Sequence, residues 1–274
     1  MQSRRQITRS DTATFLVVVL LLLANGAAVG TTGRERAKRA VCLSNLKALT
    51  QAWRQFAADH DGQLVNGMAG IDRSDAKAWV GQCWHSNYAI GQQLDGAIQK
   101  EEIQDGALWP YLQELKLYRC PSGYAAEMLN YNIVDGMNGL SRSGTAWGSQ
   151  GLQIDDTVLW VRSFSEIIAP GPAQRAVFID EGWITPDSFG THYQHERWWD
   201  DAPVRHNDGT TVSFADGHAE YWQWKGVDTV EYARLADRVH MSNNRVPQTP
   251  EGREDLHRLQ RAVWGRLGYA VTEP

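Results

Sequence analysis

The sequence of 274 residues is poor in cysteine and lacks the short motifs that mark the common enzyme classes. It contains three cysteines, Cys42, Cys83 and Cys120. No G-x-S-x-G element accompanies its histidines, which argues against a serine-type hydrolase. The H-E-x-x-H and H-x3-H spacings of zinc sites and the spacing of an EF-hand are also missing. No internal repeat is visible, so we expect one sizeable domain without an evident catalytic motif.

Acidic residues are scarce at the amino terminus. Residues 1–39 contain seven Lys and Arg against two acidic residues, whereas the whole chain has a net charge of −5. The body of the chain is therefore acidic, which argues against nucleic acid as a partner. A basic head is typical of a chain with a membrane segment.

A long uncharged run follows the basic head. Residues 12–29 contain no charged side chain. A helix of this length spans about 27 Å, against about 30 Å for the hydrocarbon core of a bilayer. We therefore expect residues 1–33 to form a basic head and a transmembrane segment. The alternative is a signal peptide that is cleaved on export, because small residues end the run.

The spacing of apolar residues predicts a helix after this run. Apolar side chains recur every three to five residues and stop before Gly62, which predicts a stalk helix over residues 34–61. Residues 62–274 are then expected to form an extracytoplasmic α+β domain. The apolar face of the helix contains Val41, Leu46, Leu49, Trp53 and Phe56.

A β-hairpin is predicted within residues 206–224. Two stretches rich in β-branched and aromatic residues flank Asp216-Gly217. This dipeptide favours a type I′ turn, which needs positive φ at both central positions. We expect His206 and Asp216 to tie down the backbone at opposite ends of the hairpin. A catalytic His-Asp pair is the alternative.

Three stretches resemble one known family. Residues 206–217 consist of a histidine, nine residues and Asp-Gly; residues 34–47 end in Cys-Leu-Ser-Asn-Leu-Lys; and Cys120 opens a Cys-Pro-Ser step. Together they are similar to prepilin-type proteins, the pseudopilin-like family with the H-X9-DG signature. Asp11 matches the family's acidic fifth position, which is thought to meet a neighbouring subunit's amino terminus. Gln6 stands where the family has the Gly before the cleavage point, so we expect a retained anchor rather than processing by a prepilin peptidase.

This resemblance implies a fold, a role and a location. The fold would be pilin-like and α+β, with a long N-terminal helix (membrane part plus stalk) packed on an antiparallel sheet and extra C-terminal helices. The role would be that of a non-catalytic structural subunit of a type II secretion or pilus-like assembly. The chain would be anchored in the bacterial inner membrane with its main domain in the periplasm. Its partners would be other pseudopilin-like subunits or secretion machinery.

The cysteines predict a disulfide if the domain is exported. Cys83 and Cys120 are the expected pair, and three free buried thiols are the alternative. Cys42 lies on the predicted helix, where we expect it to be a small apolar packing residue.

Carboxylates at strand ends and turns form a candidate calcium site, since calcium prefers oxygen ligands. Major pseudopilins of type II secretion bind calcium near their carboxyl-terminal sheet, which supports this alternative by analogy. We nevertheless expect no cofactor, and the histidines lack the spacing of a zinc site. The candidate carboxylates are Asp180, Glu181, Asp208 and Asp216.

Two further functions remain open. Twelve tryptophans are unusual, and a Trp-rich face could make the protein an envelope glycan-binding module. A hydrolase using Asp180, Glu181 and His206 would need these groups within hydrogen-bond reach in a cleft. The candidate glycan or partner surface consists of Trp183, Trp198, Trp199 and Trp222.

Overall fold

A computed structural model describes residues 9–85, 93–140, 152–181, 186–236 and 244–271, with side chains from residue 32 onward. The architecture is α+β. The helices are α1 (Arg9–Asp59), α2 (Gly96–Asp105), α3 (Trp109–Leu112), α4 (Val227–Ala236) and α5 (Pro250–Trp264). The strands are β1 (Asn66–Ala69), β2 (Ala78–Val80), β3 (Tyr131–Ile133), β4 (Gln153–Ile154), β5 (Thr157–Val158), β6 (Ala176–Asp180), β7 (Gly209–Phe214) and β8 (Ala219–Gln223). Short 3₁₀ helices cover Leu115–Tyr118, Phe164–Glu166 and Pro172–Gln174.

A four-stranded sheet in the order β3-β6-β7-β8 forms the centre of the domain. All of its neighbouring strands are antiparallel. Every residue of β6 and β7 is buried, and α1 packs across β6, β7 and β8. The strands β6 and β7 are therefore the buried strands against which α1 packs.

One face of α1 matches this sheet. Leu46, Leu49 and Trp53 follow each other at helical intervals and are completely buried. Thr50 on the same helix donates a hydrogen bond from its Oγ1 to Ser213 Oγ on β7 at 2.7 Å. Val41, which was expected on this face, is 47 % exposed instead. The part of α1 that was expected to be a stalk is thus an integral part of the domain core.

The expected membrane part of the fold is corrected by the structure. Within the described portion of the chain, no helix is long and apolar enough to cross a membrane. The predictions of a pilin-like fold with a membrane helix, of a single-pass membrane protein and of an inner-membrane location are therefore wrong. Where its side chains are described, α1 instead buries Leu46, Leu49 and Trp53 and packs across β6, β7 and β8. Residues 12–29 and Asp11 lie outside the side chains that are described.

The predicted hairpin is present as β7 and β8, but its turn is of another kind. Strand pairing ends at Ser213 opposite Ala219. Gly217 N donates to Phe214 O at 2.8 Å, and Phe214 N donates to His218 O at 2.9 Å. Only Gly217 in this turn has a positive φ, of 102°. This is the three-residue loop in which a left-handed glycine follows a tight turn, and the predicted type I′ turn is wrong.

We predict that Gly217→Val destabilises the hairpin. A valine would have to adopt a φ that L side chains avoid, at a cost of about 1–3 kcal/mol. Crowding adds little, because the atom nearest to a Cβ at this position would be the flexible end of Arg54, at 3.2 Å. Gly171→Val is the matched control, since Gly171 has an extended backbone and open space around it. Urea unfolding of both variants tests this, and equal midpoints would contradict it.

Candidate metal centre

Four buried side chains from separate parts of the chain meet beside α1. Cys42 comes from α1, Cys120 follows the 3₁₀ helix Leu115–Tyr118, Asp180 ends β6, and His206 lies just before β7. Their candidate ligand atoms all lie within 4.8 Å of one another. These four residues can hold a metal ion, and we call them the Cys2AspHis cluster.

The distances within the cluster describe a compact tetrahedron. Cys42 Sγ lies 3.0 Å from Cys120 Sγ, 3.0 Å from His206 Nε2 and 3.6 Å from Asp180 Oδ2. His206 Nε2 lies 3.4 Å from Cys120 Sγ and 3.7 Å from Asp180 Oδ2. Metal–ligand bonds of about 2.0–2.3 Å at tetrahedral angles separate ligand atoms by about 3.3–3.8 Å. The cluster is therefore close to the size that one zinc-like ion requires.

The turn that presents His206 has an unusual backbone. His206, Asn207 and Asp208 have φ values of 52°, 67° and 57°, a left-handed conformation that non-glycine residues seldom adopt in succession. The hydroxyl of Tyr221 holds the turn by donating to the carbonyls of His206 at 2.8 Å and Asn207 at 2.7 Å. An ion pair of 2.7 Å between Asp208 and Arg234 adds a further anchor. Backbone of this kind is enriched at functional sites.

A second layer of contacts orients the sulfur and imidazole ligands. Ser122 Oγ lies 3.3 Å from His206 Nδ1, so that Nε2 is the ring nitrogen facing the thiols. Tyr131 donates its hydroxyl to Cys42 Sγ at 3.1 Å, and the Ser122 amide donates to Cys120 Sγ at 3.3 Å. Such outer contacts are what a ligating imidazole and thiolate require.

The environment of Asp180 is the strongest sign that the cluster suits a cation. Its side chain is completely buried, and its Oδ1 has no hydrogen-bond partner among the described residues. A buried carboxylate without compensation is costly, because it loses its hydration without a replacement. A cation beside the carboxylate would supply that compensation.

The surroundings disfavour the charged forms of three of the four side chains, His206, Cys120 and Asp180. Burial lowers the pKa of the His206 imidazole to about 4, so it is neutral near pH 7. The contact with Cys42, together with burial, raises the pKa of the Cys120 thiol. Burial also raises the pKa of the Asp180 carboxyl, although Arg205 opposes this shift. The neutral imidazole has a lone pair available for a metal, while Cys120 must lose a proton to bind one.

The predicted calcium ligands do not converge. Only Asp180 belongs to the cluster. Glu181 accepts a hydrogen bond from Asn132 Nδ2 at 2.9 Å, and Asp208 pairs with Arg234. Asp216 lies at the far end of the hairpin, where it contacts His218 Nδ1 at 2.6 Å. The position of these carboxylates at predicted strand ends and turns did not show which of them lie close together in the fold.

The predicted disulfide is also corrected. Cys42, Cys83 and Cys120 are all free and buried. Cys120 faces Cys42, whereas the thiol of Cys83 contacts the Gln99 carbonyl at 3.8 Å. Cys42 packs in the hydrophobic core, as expected, and its thiol also contacts Cys120 and His206. One signal could have found the site, since Cys42, Cys120 and His206 each lie in a stretch that carries the family resemblance.

Among the described residues, the candidate tryptophans do not form the glycan surface that was the alternative function. Trp198 and Trp222 are only 3 % and 2 % exposed, because they pack with Trp224 in edge-to-face and related contacts. Trp199 is half-buried beside His192, and Trp183 lies outside the described residues. The large apolar faces of Trp198 and Trp222 therefore contribute to the core rather than to a binding platform.

The groups of the hydrolase alternative are not assembled in a cleft. Asp180 and His206 are close, but both side chains are buried, at 0 % and 1 % exposed. Glu181 accepts a hydrogen bond from Asn132 instead of joining them.

Comparison with protein-family models, curated proteins and solved structures finds no match to this chain.

Proposed function

We propose that this protein is a zinc-binding protein in which the Cys2AspHis cluster holds one structural Zn²⁺. The observation that carries the proposal is the close approach of two thiols, an imidazole and a buried carboxyl group whose Oδ1 has no hydrogen-bond partner among the described residues. Sulfur and nitrogen ligands favour zinc over calcium or magnesium, which select oxygen-only sites. Zinc would compensate Asp180 and use the neutral Nε2 of His206.

The arrangement supports a structural rather than a catalytic role. Four protein ligands complete a tetrahedral site, whereas catalytic zinc keeps one position for water or substrate. All four residues are buried, so substrate has no direct approach. A metal here would join α1 to the sheet, since Cys42 and His206 are 164 residues apart.

Zinc content tests the proposal. The full chain, purified under reducing conditions and freed of loosely bound metal, should retain one zinc per molecule by elemental mass spectrometry. Cys42→Ser and Asp180→Asn should lose it, and Cys83→Ser, also a buried free cysteine, is the matched control that should keep it. Cobalt substitution should give the absorption of sulfur-to-cobalt charge transfer. Zinc retained by Cys42→Ser, or absent from the wild type, would overturn the proposal.

A second proposal is that this zinc-stabilised domain is a non-catalytic subunit of a secretion or pilus-like assembly. The observation that favours it is that the two main stretches resembling the family contact each other. Cys42 contacts His206, and the Arg39 guanidinium lies 4.2 Å from the centre of the Tyr221 ring. Cross-linking in the native cell should join the chain to pseudopilin-like subunits, and recovery of the chain without such links would contradict this role.

A further inference from the structure

We propose that Cys42 and Cys120 form a disulfide when zinc is absent and a small-molecule disulfide is present. This inference rests on the zinc site proposed above. It assigns that site a second state, in which a disulfide bond replaces the metal. It differs from the Cys83–Cys120 bridge that the sequence predicts, because the partner of Cys120 is a residue of α1.

The distance between the two sulfurs carries the proposal. Cys42 Sγ and Cys120 Sγ are 3.0 Å apart. Two thiolate sulfurs on a tetrahedral zinc would be about 3.8 Å apart, given Zn–S bonds of about 2.3 Å. A disulfide bond is about 2.05 Å long, so the sulfurs must approach each other by about 1 Å to reach bonding distance. The pair thus lies between its zinc-bound and its bonded separation.

The surroundings select this pair over any other. Both residues are completely buried, so the fold rather than random encounter sets their contact. The hydroxyl of Tyr131 and the imidazole of His206 pack against Cys42. Cys83, the third cysteine of the chain, lies against the carbonyl of Gln99. A disulfide formed from the native fold should therefore exclude Cys83.

The oxidation is a pair of thiol–disulfide exchanges. Because both sulfurs are buried, the exchange begins from a locally opened cluster. One cysteine thiolate then attacks a sulfur of a small disulfide RSSR, which forms a mixed disulfide and releases RS⁻. The second cysteine then attacks the protein sulfur of that mixed disulfide, which forms the Cys42–Cys120 bond and releases a second RS⁻. The two cysteine protons end on the two released thiolates as RSH. Two protein thiols are oxidised and one RSSR is reduced.

The bond would make one of the connections that the metal makes. It links α1 to the segment after the 3₁₀ helix Leu115–Tyr118, across a sequence separation of 78 residues. Zinc should prevent the reaction, because both sulfurs are then coordinated and the exchange needs a free thiolate. The two segments would therefore be linked by zinc in a reducing environment and by a disulfide in an oxidising one.

Peptide mapping tests the inference with the full chain. Trypsin places the three cysteines on separate peptides, residues 40–47, 78–100 and 120–142. We expect metal-free protein treated with oxidised glutathione, then alkylated and digested without reductant, to yield peptide 40–47 linked to peptide 120–142. Peptide 78–100 should be alkylated. Zinc at ten times its dissociation constant should reduce the yield of the linked pair about tenfold.

The outcomes separate this inference from the zinc proposal. Zinc bound under reducing conditions, with no link between 40–47 and 120–142 after metal removal and oxidation, would overturn the disulfide alone. A link that involves 78–100, or one that forms undiminished while zinc is shown to be bound, would also overturn it. The link without any zinc binding would overturn the zinc proposal and leave the thiol pair. Cys83→Ser should form the link, and circular dichroism of each sample shows that it is folded.

Discussion

Removing zinc under reducing conditions should lower the thermal unfolding midpoint of this protein by about 10 °C. A ligand that binds only the folded chain stabilises it by about 4 kcal/mol at a thousand times its dissociation constant. For a domain of this size, each kcal/mol corresponds to about 2–4 °C. The effect is large because zinc would compensate the buried Asp180 carboxylate and join α1 to the sheet.

Differential scanning calorimetry with a chelator and a phosphine reductant measures this change. The reductant keeps Cys42 and Cys120 from forming a disulfide that would replace the metal. Cys42→Ser should show no response to zinc, whereas Cys83→Ser should respond like the wild type. Equal thermal unfolding midpoints for zinc-loaded and zinc-free wild type would contradict a structural role of the metal.

Zinc affinity should rise steeply with pH, by about a hundredfold per unit between pH 5 and 7. Zinc binds thiolates, and each protonated thiol must release its proton on binding. Two released thiol protons give a slope of two in the logarithm of the association constant, or about four orders of magnitude over this range. This slope is a lower bound, because burial raises the pKa of the Asp180 carboxyl and any proton that it releases adds to the slope. His206 adds nothing to the slope above pH 5, because burial lowers the pKa of its imidazole to about 4.

The sign of this dependence follows from the ligands. Low pH favours the protonated thiols and so weakens binding, and high pH favours the thiolates and strengthens it. Competition with a chromophoric chelator at several pH values gives the slope, and calorimetry in buffers of different ionisation enthalpy counts the protons. A flat profile between pH 5 and 7 would show that Cys42 and Cys120 are not the ligands.

The secondary structure around the site was largely predictable because it depends on local patterns. Stretches rich in β-branched and aromatic residues around Asp216-Gly217 predicted the hairpin, and apolar residues at every three to five positions predicted the helical face of Leu46, Leu49 and Trp53. The turn type was missed, because Asp-Gly is compatible with several loops. Only Gly217 has the positive φ that decides among them.

The metal centre was not predictable in the same way. Zinc-spacing rules detect ligands that are neighbours in sequence, but Cys42 and His206 are 164 residues apart. Asp180 and His206 were considered together only for the hydrolase alternative, and otherwise separately, as a calcium ligand and as a hairpin anchor. Each cysteine was compatible with several roles, because the sequence did not show which side chains it contacts in the fold.

The sequence by itself determined the elements of this protein: the helix that carries Cys42, the strand that ends at Asp180 and the hairpin that follows His206. Their local patterns suffice because helix and strand periods are set by the backbone. Only the tertiary structure decided that Cys42, Cys120, Asp180 and His206 meet, and that Trp198 and Trp222 are buried. These outcomes depend on how α1 packs across the sheet, and that packing is a property of the whole core rather than of any short segment.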